Sequence, residues 1–213
     1  MTNVIIIRHG QSLANLASVF AGHFDVGLSD LGHKQAEKTA AAVNERFKID
    51  KIYSSDLKRA YETAQPLARL TGKEIIPDVA LREIYAGKWE GRLFNRLVTE
   101  FADDYGVWRN DIGNARCTGG ESTREAGERM LAAVRRIALE NDGKTVAITT
   151  HAAVIRAFMA LCSGEDFSVM KDIPFVANAS YNVLFVDGDN MKFTEISRDD
   201  HLEGLKSKLP ANV

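Results

Sequence analysis

The sequence has few of the features expected of an exported, disulfide-built or membrane protein. Its only cysteines, Cys117 and Cys162, lie far apart and lack CxxC or zinc-ligand spacing, so we expect two reduced thiols. The apolar run at residues 4–7 is interrupted at once by Arg8 and His9, and is therefore too short for a signal peptide or a membrane span. These absences predict a cytoplasmic protein with no membrane partner.

An excess of charge of one sign is also absent, because 27 Lys and Arg stand against 29 Asp and Glu. A net charge of −2 argues against a protein that coats nucleic acid, although it is compatible with a small local anion site. The 213 residues, 45% of them hydrophobic, have the composition of an ordinary globular domain. We find no repeats or linkers and predict one domain over residues 1–213; the sequence leaves a homo-oligomer open.

Short apolar runs alternate with helical patterns along the chain. Strands are predicted at 3–7, 51–54, 74–76 and 145–150, with a hairpin of 181–186 and 191–196. Helices are predicted at 29–47, 56–70 with Pro66 kinking or dividing it, 93–101, 122–140 and 152–161. Loops are expected around Gly87, Gly91, Gly106 and Gly113. The alternation favours an α/β fold, a three-layer α/β/α arrangement with a mostly parallel central sheet.

Polar side chains follow each of the first four predicted strands. They are Arg8 and His9, Arg59, Glu83, and His151. Taken singly, each has an ordinary interpretation: a hydrogen-bonded structural histidine, a cation on a helix surface, a loop carboxylate. Ligands of open α/β sheets, however, bind beyond the carboxyl ends of the strands, so the fold would gather all five residues at one edge.

Two arginines at one site suit a phosphoryl group, since the guanidinium matches its oxygens bidentately and stays charged. The metal and nucleotide motifs HExxH and GxxxxGK[ST] are absent, so we expect no metal and no cofactor. A histidine in such a pocket can act as a nucleophile, and a carboxylic acid can protonate the leaving oxygen. The expected partner is a small phosphorylated substrate.

Six blocks of the sequence, in order, resemble motifs of the histidine phosphatase superfamily, in its phosphoglycerate mutase-like branch. The first is Arg8-His9-Gly10-Gln11-Ser12 followed by Asn15, which is similar to the RHG signature of the family. The others lie at residues 21–36, 54–64, 81–91, 119–122 and 150–157. The resemblance covers nearly the whole chain and implies a phosphoglycerate mutase-like fold.

The resemblance also implies roles for individual residues. His9 would be the nucleophile that becomes phosphohistidine, and Glu83 the general acid and then the base that activates water. The phosphate-binding residues would be Arg8, Arg59, His151 and Asn15, with Gln11, Ser12 and Gly22 lining the same pocket. Ala152 replaces the usual glycine after the second histidine and Gly27 stands where proline is common, and the larger Ala152 narrows the approach to the backbone.

The family contains both mutases and phosphatases built on one catalytic core. Its cofactor-dependent mutases carry a longer insertion between the acid and the second histidine, whereas only 68 positions separate Glu83 from His151. The prediction is therefore a metal-independent hydrolase of small phosphomonoesters. The alternatives are a cofactor-dependent phosphoglycerate mutase and a non-catalytic phosphate-binding module of the same fold. Several remaining residues are expected to have structural roles or to lie at the surface: Trp89, Trp108, Cys117, His201, His23 and His33.

Overall fold

The structure is a computed structural model that describes residues 1–207, so the last six positions of the expected domain, 208–213, lie outside it. Within the described residues, six strands form one sheet in the order β3-β2-β4-β1-β5-β6. The strands are β1 (Thr2–Arg8), β2 (Lys51–Ser54), β3 (Ile75–Pro77), β4 (Thr145–Thr150), β5 (Tyr181–Asp187) and β6 (Asn190–Arg198). The four strands from β3 to β1 are parallel and the β5–β6 hairpin is antiparallel, which confirms the mostly parallel sheet.

Helices cover both faces of the sheet. They are α1 (Leu13–Leu16), α2 (Asp30–Arg46), α3 (Lys58–Thr71), α4 (Phe94–Glu100), α5 (Ala102–Asn110), α6 (Thr123–Glu140) and α7 (Ala152–Ser163). Val4 and Ile6 of β1 belong to a core shared with α6 and α7, whereas Ile5 and Ile7 belong to a second core shared with α2 and α3. A strand buried on both faces reads as a continuous apolar run, which is why β1 lacks alternation. The expected α/β/α layering is confirmed.

Capping residues recognised in the sequence mark the N-termini of α2 and α6. The Ser29 hydroxyl accepts a hydrogen bond from the Gly32 N–H at the start of α2, and Ser122 and Glu125 form the expected reciprocal cap of α6. Helix α3 continues through Pro66, so the predicted division does not occur; Ala64 and Leu67 are held in the core on either side of it.

The expectation of a loop at Gly106 was wrong, and one short helix was not predicted. Gly106 lies inside α5 rather than in a loop, because the packing of Tyr105 in the core outweighs the low helix propensity of glycine. Helix α1 was not predicted, since its four residues are too few to show helical periodicity. Its cap is formed by Ser12 and Asn15, each bonding the backbone N–H of the other.

The parallel strands end at a common edge, and that edge positions the site. Arg8 of β1 pairs with Thr150 of β4, and Ser54 of β2 pairs with Thr149. The residues that follow these strands therefore meet there. None of the helices described in residues 1–207 is long and apolar enough to cross a membrane.

Candidate active site

A cavity of about 100 Å³ opens at the carboxyl edge of the sheet. Seven of the residues singled out in the sequence line it: Arg8, His9, Ser12, Asn15, Gly22, Arg59 and Glu83. His151 lies behind His9, fully buried, with the two ring centroids 5.1 Å apart. Residues that are scattered over the sequence from 8 to 151 are thus brought together, as the fold class predicted.

His9 is held in place by its own backbone and by the carbonyl of the next residue. Its N–H donates to the Thr150 carbonyl at 2.9 Å, and its ring Nδ1 lies 2.7 Å from the Gly10 carbonyl oxygen. Because a carbonyl can only accept, Nδ1 carries the ring proton and Nε2 keeps its lone pair. Burial, together with the charges of Arg59 and Arg8, lowers the pKa of His9 well below the ordinary histidine value. The ring is therefore neutral at neutral pH and nucleophilic at Nε2.

The RHG motif requires glycine at position 10 for a steric reason. A Cβ at this position would lie 2.6 Å from the carbonyl oxygen of Gly32 in α2, too close for any side chain. Its N–H donates to the Thr63 hydroxyl of α3 at 3.0 Å. The turn after β1 is thereby clamped between two helices, which orients His9.

The two arginines enter the cavity as buried cations. Arg8 and Arg59 are 5% and 1% exposed, and neither forms an ion pair with any residue in the described part of the chain. Nη1 of Arg8 donates to the Val176 carbonyl at 2.6 Å, and Nη2 of Arg59 donates to the Gly22 carbonyl at 2.7 Å. Burial lowers the pKa of each guanidinium to about 10, so both remain charged at neutral pH.

His151 presents a third donor. Its Nε2 lies 2.9 Å from the Ser55 hydroxyl, and that hydroxyl already accepts the Leu57 N–H at 3.3 Å. That bond uses one lone pair of the hydroxyl and leaves its hydrogen available to Nε2; when the hydroxyl donates there, the ring proton lies on Nδ1. Burial and the charge of Arg59 lower the pKa of His151, so its ring is also neutral. The motif at 54–64 was identified for Arg59, and the part played by Ser55 was missed.

Three of the residues predicted to bind phosphate each have a buried side-chain nitrogen without a partner. Nε of Arg8, Nε of Arg59 and Nδ1 of His151 make no hydrogen bond to any residue between 1 and 207. Leaving a buried donor unpaired costs about 1–3 kcal/mol, and more when it is charged. Arg8 and Arg59 line the cavity and His151 packs on the ring of His9, so these nitrogens lie at a place suited to an anion.

Glu83 is placed at the N-terminus of α7. Its carboxylate accepts the N–H groups of Ile84 at 3.0 Å and of Ala153 and Val154 at 3.3 Å. The first N–H groups of a helix have no partner within the helix, so the carboxylate caps α7 while facing the cavity. Ala152, the residue that departs from the family pattern, is the first residue of this helix and also lines the cavity.

Arg129 of α6 holds the segment that carries Glu83, and the sequence analysis did not single it out. Its guanidinium donates to the backbone carbonyls of Ala80, Arg82 and Glu83 at 2.8–3.1 Å. It also pairs with Glu121 at 2.8 Å. Burial alone would raise the pKa of Glu121, but the bonds from Arg129 and from the Tyr85 N–H, together with the charge of Arg129, outweigh it and the pKa is lowered. The Glu83 backbone is therefore held by an arginine that is itself fixed in a half-buried ion pair.

Two further polar residues behave differently from the expectation. His23, expected to be an ordinary loop residue, brings its Nε2 to 2.8 Å from the Glu83 carbonyl. Gln11 is not among the described residues that line the cavity; its side-chain oxygen accepts the Ser29 hydroxyl at 2.7 Å, at the cap of α2. A contact between Gln11 and phosphate stays a prediction.

Asn15 is oriented by a residue that the sequence analysis missed. The side-chain oxygen of Asn15 accepts the Ser12 N–H and the Asn178 amide, both at 3.1 Å. Asn178 also donates to the His9 carbonyl at 3.2 Å. With its oxygen occupied, Asn15 has its NH₂ donors available toward the cavity that it lines.

The opposite wall of the cavity is apolar and aromatic. Phe20, Phe94 and Trp108 line it, and the rings of Phe94 and Trp108 pack on Phe20 with centroids 5.6 and 5.3 Å away. Trp89 is fully buried behind them, as expected for packing, whereas Trp108 reaches the cavity. Cys117 is buried too, and its pKa is raised by that burial, which removes thiolate reactivity. Within residues 1–207, no three or more His, Cys, Asp or Glu side chains converge where they could hold a metal ion.

Residues 4–199 match the family described as histidine phosphatase superfamily (branch 1). The chain is 32% identical to phosphoglycerate mutase-like protein 4 of Arabidopsis thaliana, covering 94% of this chain and 86% of that protein. It is 30% identical to phosphoserine phosphatase 1 of Hydrogenobacter thermophilus, covering 88% of each. Among solved structures it resembles Bacillus stearothermophilus YhfR, with a TM-score of 0.90 and 25% identity over 95% of this chain and 100% of that one. It also resembles a phosphoserine phosphatase mutant from Entamoeba histolytica in complex with phosphoserine, with a TM-score of 0.83 and 25% identity over 95% and 100% of the two chains.

Proposed function

The chain belongs to the histidine phosphatase superfamily (branch 1), and from this premise and its cavity we propose that it is a metal-independent phosphomonoester hydrolase. Its fold is phosphoglycerate mutase-like. The proposed substrates are small phosphorylated metabolites. Two similar proteins are phosphoserine phosphatases, and the small cavity suits one phosphoryl group better than a macromolecular ligand.

The proposed reaction has two steps. In the first, Nε2 of His9 attacks phosphorus and forms the N–P bond, while the P–O bond to the alcohol breaks and Glu83 gives its proton to the departing oxygen. In the second, Glu83 takes a proton from water as that water attacks phosphohistidine. The N–P bond breaks, the electron pair returns to Nε2, and inorganic phosphate leaves.

The observation that carries this proposal is the set of unpaired buried donors. Arg8 and Arg59 line the cavity with His9, His151 packs 5.1 Å from the His9 ring, and each of the three carries a buried nitrogen without a partner. The ring proton of His9 is held on Nδ1 by the Gly10 carbonyl, which leaves Nε2 to attack. A phosphoryl group has three non-bridging oxygens, and its negative charge grows toward the transition state. Fixed donors in a buried site stabilise such charge without reorganisation.

Hydrolysis of p-nitrophenyl phosphate in EDTA tests the proposal. We expect turnover in the chelator, and an alkali-stable, acid-labile phosphoryl adduct on His9 in rapidly quenched digests, located by mass spectrometry. The variant His9→Ala should lose both. His33→Ala makes the same substitution at an exposed histidine of α2 and should keep both. Phosphate binding without turnover would instead support the non-catalytic module, and an adduct on another residue would refute the nucleophile.

A further inference from the structure

A second cavity, of about 490 Å³, lies beside the first. The two share the wall residues Trp108, Ile112, Arg156 and Phe175. A phosphomonoester whose phosphoryl group occupies the small cavity must extend its alcohol part away from His9, and the second cavity offers space for it directly across this wall.

The second cavity is cationic. Arg109, Arg156 and Lys171 line it against a single acid, Asp172. None of the three cations forms an ion pair with a residue in the described range 1–207. Cations that serve only solubility are normally spread over the surface, whereas these three converge on one concavity next to the reacting centre.

Arg156 is the buried member of this set. It is 8% exposed, its Nη2 donates to the Met170 carbonyl at 2.8 Å, and its Nε is buried without a partner. One bond to a carbonyl leaves most of its five donors unused and its charge unneutralised. Burying such a charge is costly unless an anion meets it. Because Arg156 lines both cavities, it can reach an anion on the alcohol side of a bound ester.

We propose that the preferred substrates carry a second anionic group, a carboxylate or a phosphate, on the alcohol part. That group would bind Arg156 in the second cavity, with Arg109 and Lys171 at its exposed rim. The inference rests on the proposed function, because it assigns the part of the substrate that the catalytic cavity leaves outside. It also makes Arg156, Arg109 and Lys171 determinants of specificity.

Matched substrate pairs test the proposal. 3-Phosphoglycerate and glycerol 3-phosphate share a primary alkyl leaving group and differ only in a carboxylate against a CH₂OH group. Fructose 1,6-bisphosphate against fructose 6-phosphate asks the same of a second phosphate, provided that only hydrolysis at C6, which forms fructose 1-phosphate from the bisphosphate, is counted. We expect kcat/KM to favour the more anionic member of at least one pair by about 10–100-fold, the range expected for charge-assisted hydrogen bonds, and mainly through KM. A preference within the first pair identifies a carboxylate as the second anionic group, and a preference within the second pair identifies a phosphate.

Variants of the three cations test whether the preference for anionic substrates arises in the second cavity. Lys171→Met and Arg109→Gln should each lower the preference ratio about 3–10-fold, and Arg156→Lys should lower it while leaving the protein folded. Lys192→Met removes an exposed cation on β6, far from the cavity, and should leave the ratio unchanged. Equal kcat/KM within both pairs, or ratios that the three variants do not change, would overturn the inference while the hydrolase stands. Absence of turnover with every ester, including p-nitrophenyl phosphate, would instead refute the proposed function, and the inference with it.

Discussion

Replacing Glu83 with glutamine separates acid catalysis from binding. The variant keeps the size of the side chain and one oxygen to accept from Ile84 and Val154, but places an NH₂ opposite the Ala153 N–H. Losing one long hydrogen bond of 3.3 Å costs about 0.5–1.5 kcal/mol, a small part of the stability of a domain of this size. The variant should therefore fold, and changes in its activity should report on proton transfer.

The expected loss depends on the leaving group. An alkyl alkoxide leaves badly without a proton, so phosphorylation of His9 by 3-phosphoglycerate should slow by roughly 10²–10⁴-fold, the usual range for general acid catalysis. Nitrophenolate leaves without help, and phosphorylation by p-nitrophenyl phosphate should slow by about tenfold or less. A loss confined to one class of leaving group cannot come from weaker phosphate binding, because both esters carry the same phosphoryl group.

The assay is the burst phase in rapid quench, with each ester in turn in excess over a high concentration of enzyme. Steady-state turnover would confuse the result, since Glu83 is also proposed to activate water in the second step. Glu128→Gln is the matched control, an exposed glutamate of α6 next to the Arg129 that positions the acid. Equal burst losses for the two esters would refute Glu83 as proton donor. Asp25 and Glu121 would be examined next, although the Asp25 carboxylate accepts the Lys58 N–H and Glu121 is paired with Arg129.

Three other outcomes are expected. Arg129→Met removes bonds to three carbonyls from a side chain that is 23% exposed, so urea titration should show a loss of about 2–4 kcal/mol in the free energy of unfolding. The alkyl burst should also slow more than the nitrophenyl burst, and parallel slowing would show that Arg129 serves stability alone. The lowered pKa values of His9 and His151 mean that the unfolded chain binds more protons below about pH 6.5. The free energy of unfolding should therefore have its full value above pH 6.5 and fall below that pH, by up to about 1.4 kcal/mol per pH unit for each histidine. In phosphate-free buffer, His9→Ala should show a shallower fall than the native chain. Phosphate release from 3-phosphoglycerate should exceed its isomerisation primed with 2,3-bisphosphoglycerate, and the opposite order would favour the mutase alternative.

The sequence identified those parts of the site that follow directly from local structure. Arg8 and His9 end a buried strand and His151 follows another, so the rule for parallel sheets places them together. The capping box at Ser122 is a pattern of four consecutive residues, readable without the fold. These signals are local in the chain, and the structure confirmed them.

The supporting contacts could not be predicted because they join distant positions. Arg129 bonds the Glu83 carbonyl across 46 positions, Ser55 meets His151 across 96, and Asn178 bonds the His9 carbonyl across 169. An arginine on an amphipathic helix or an asparagine in a loop has no local pattern that distinguishes it from a solvated residue. Only the tertiary fold shows that these side chains fix the position of the proposed acid, of His151 and of the proposed nucleophile.

The same distinction explains why the chemistry is easier to predict than the substrate. The floor of the cavity is made by strand ends that carry the recognised motifs, whereas Phe94, Trp108 and Ile112 of its wall come from the least patterned part of the chain. Phe94 and Trp108 are ordered by packing on Phe20 rather than by helix periodicity, because α4 and α5 have only seven and nine residues. Ile112 is held in a separate cluster with Phe167 and Met170. A short helix held by tertiary contacts can change its sequence without losing the motifs beneath it. The wall is therefore where relatives that share the reaction can differ in substrate. In this chain, its outer side is the cationic cavity that Trp108 and Ile112 share with Arg156.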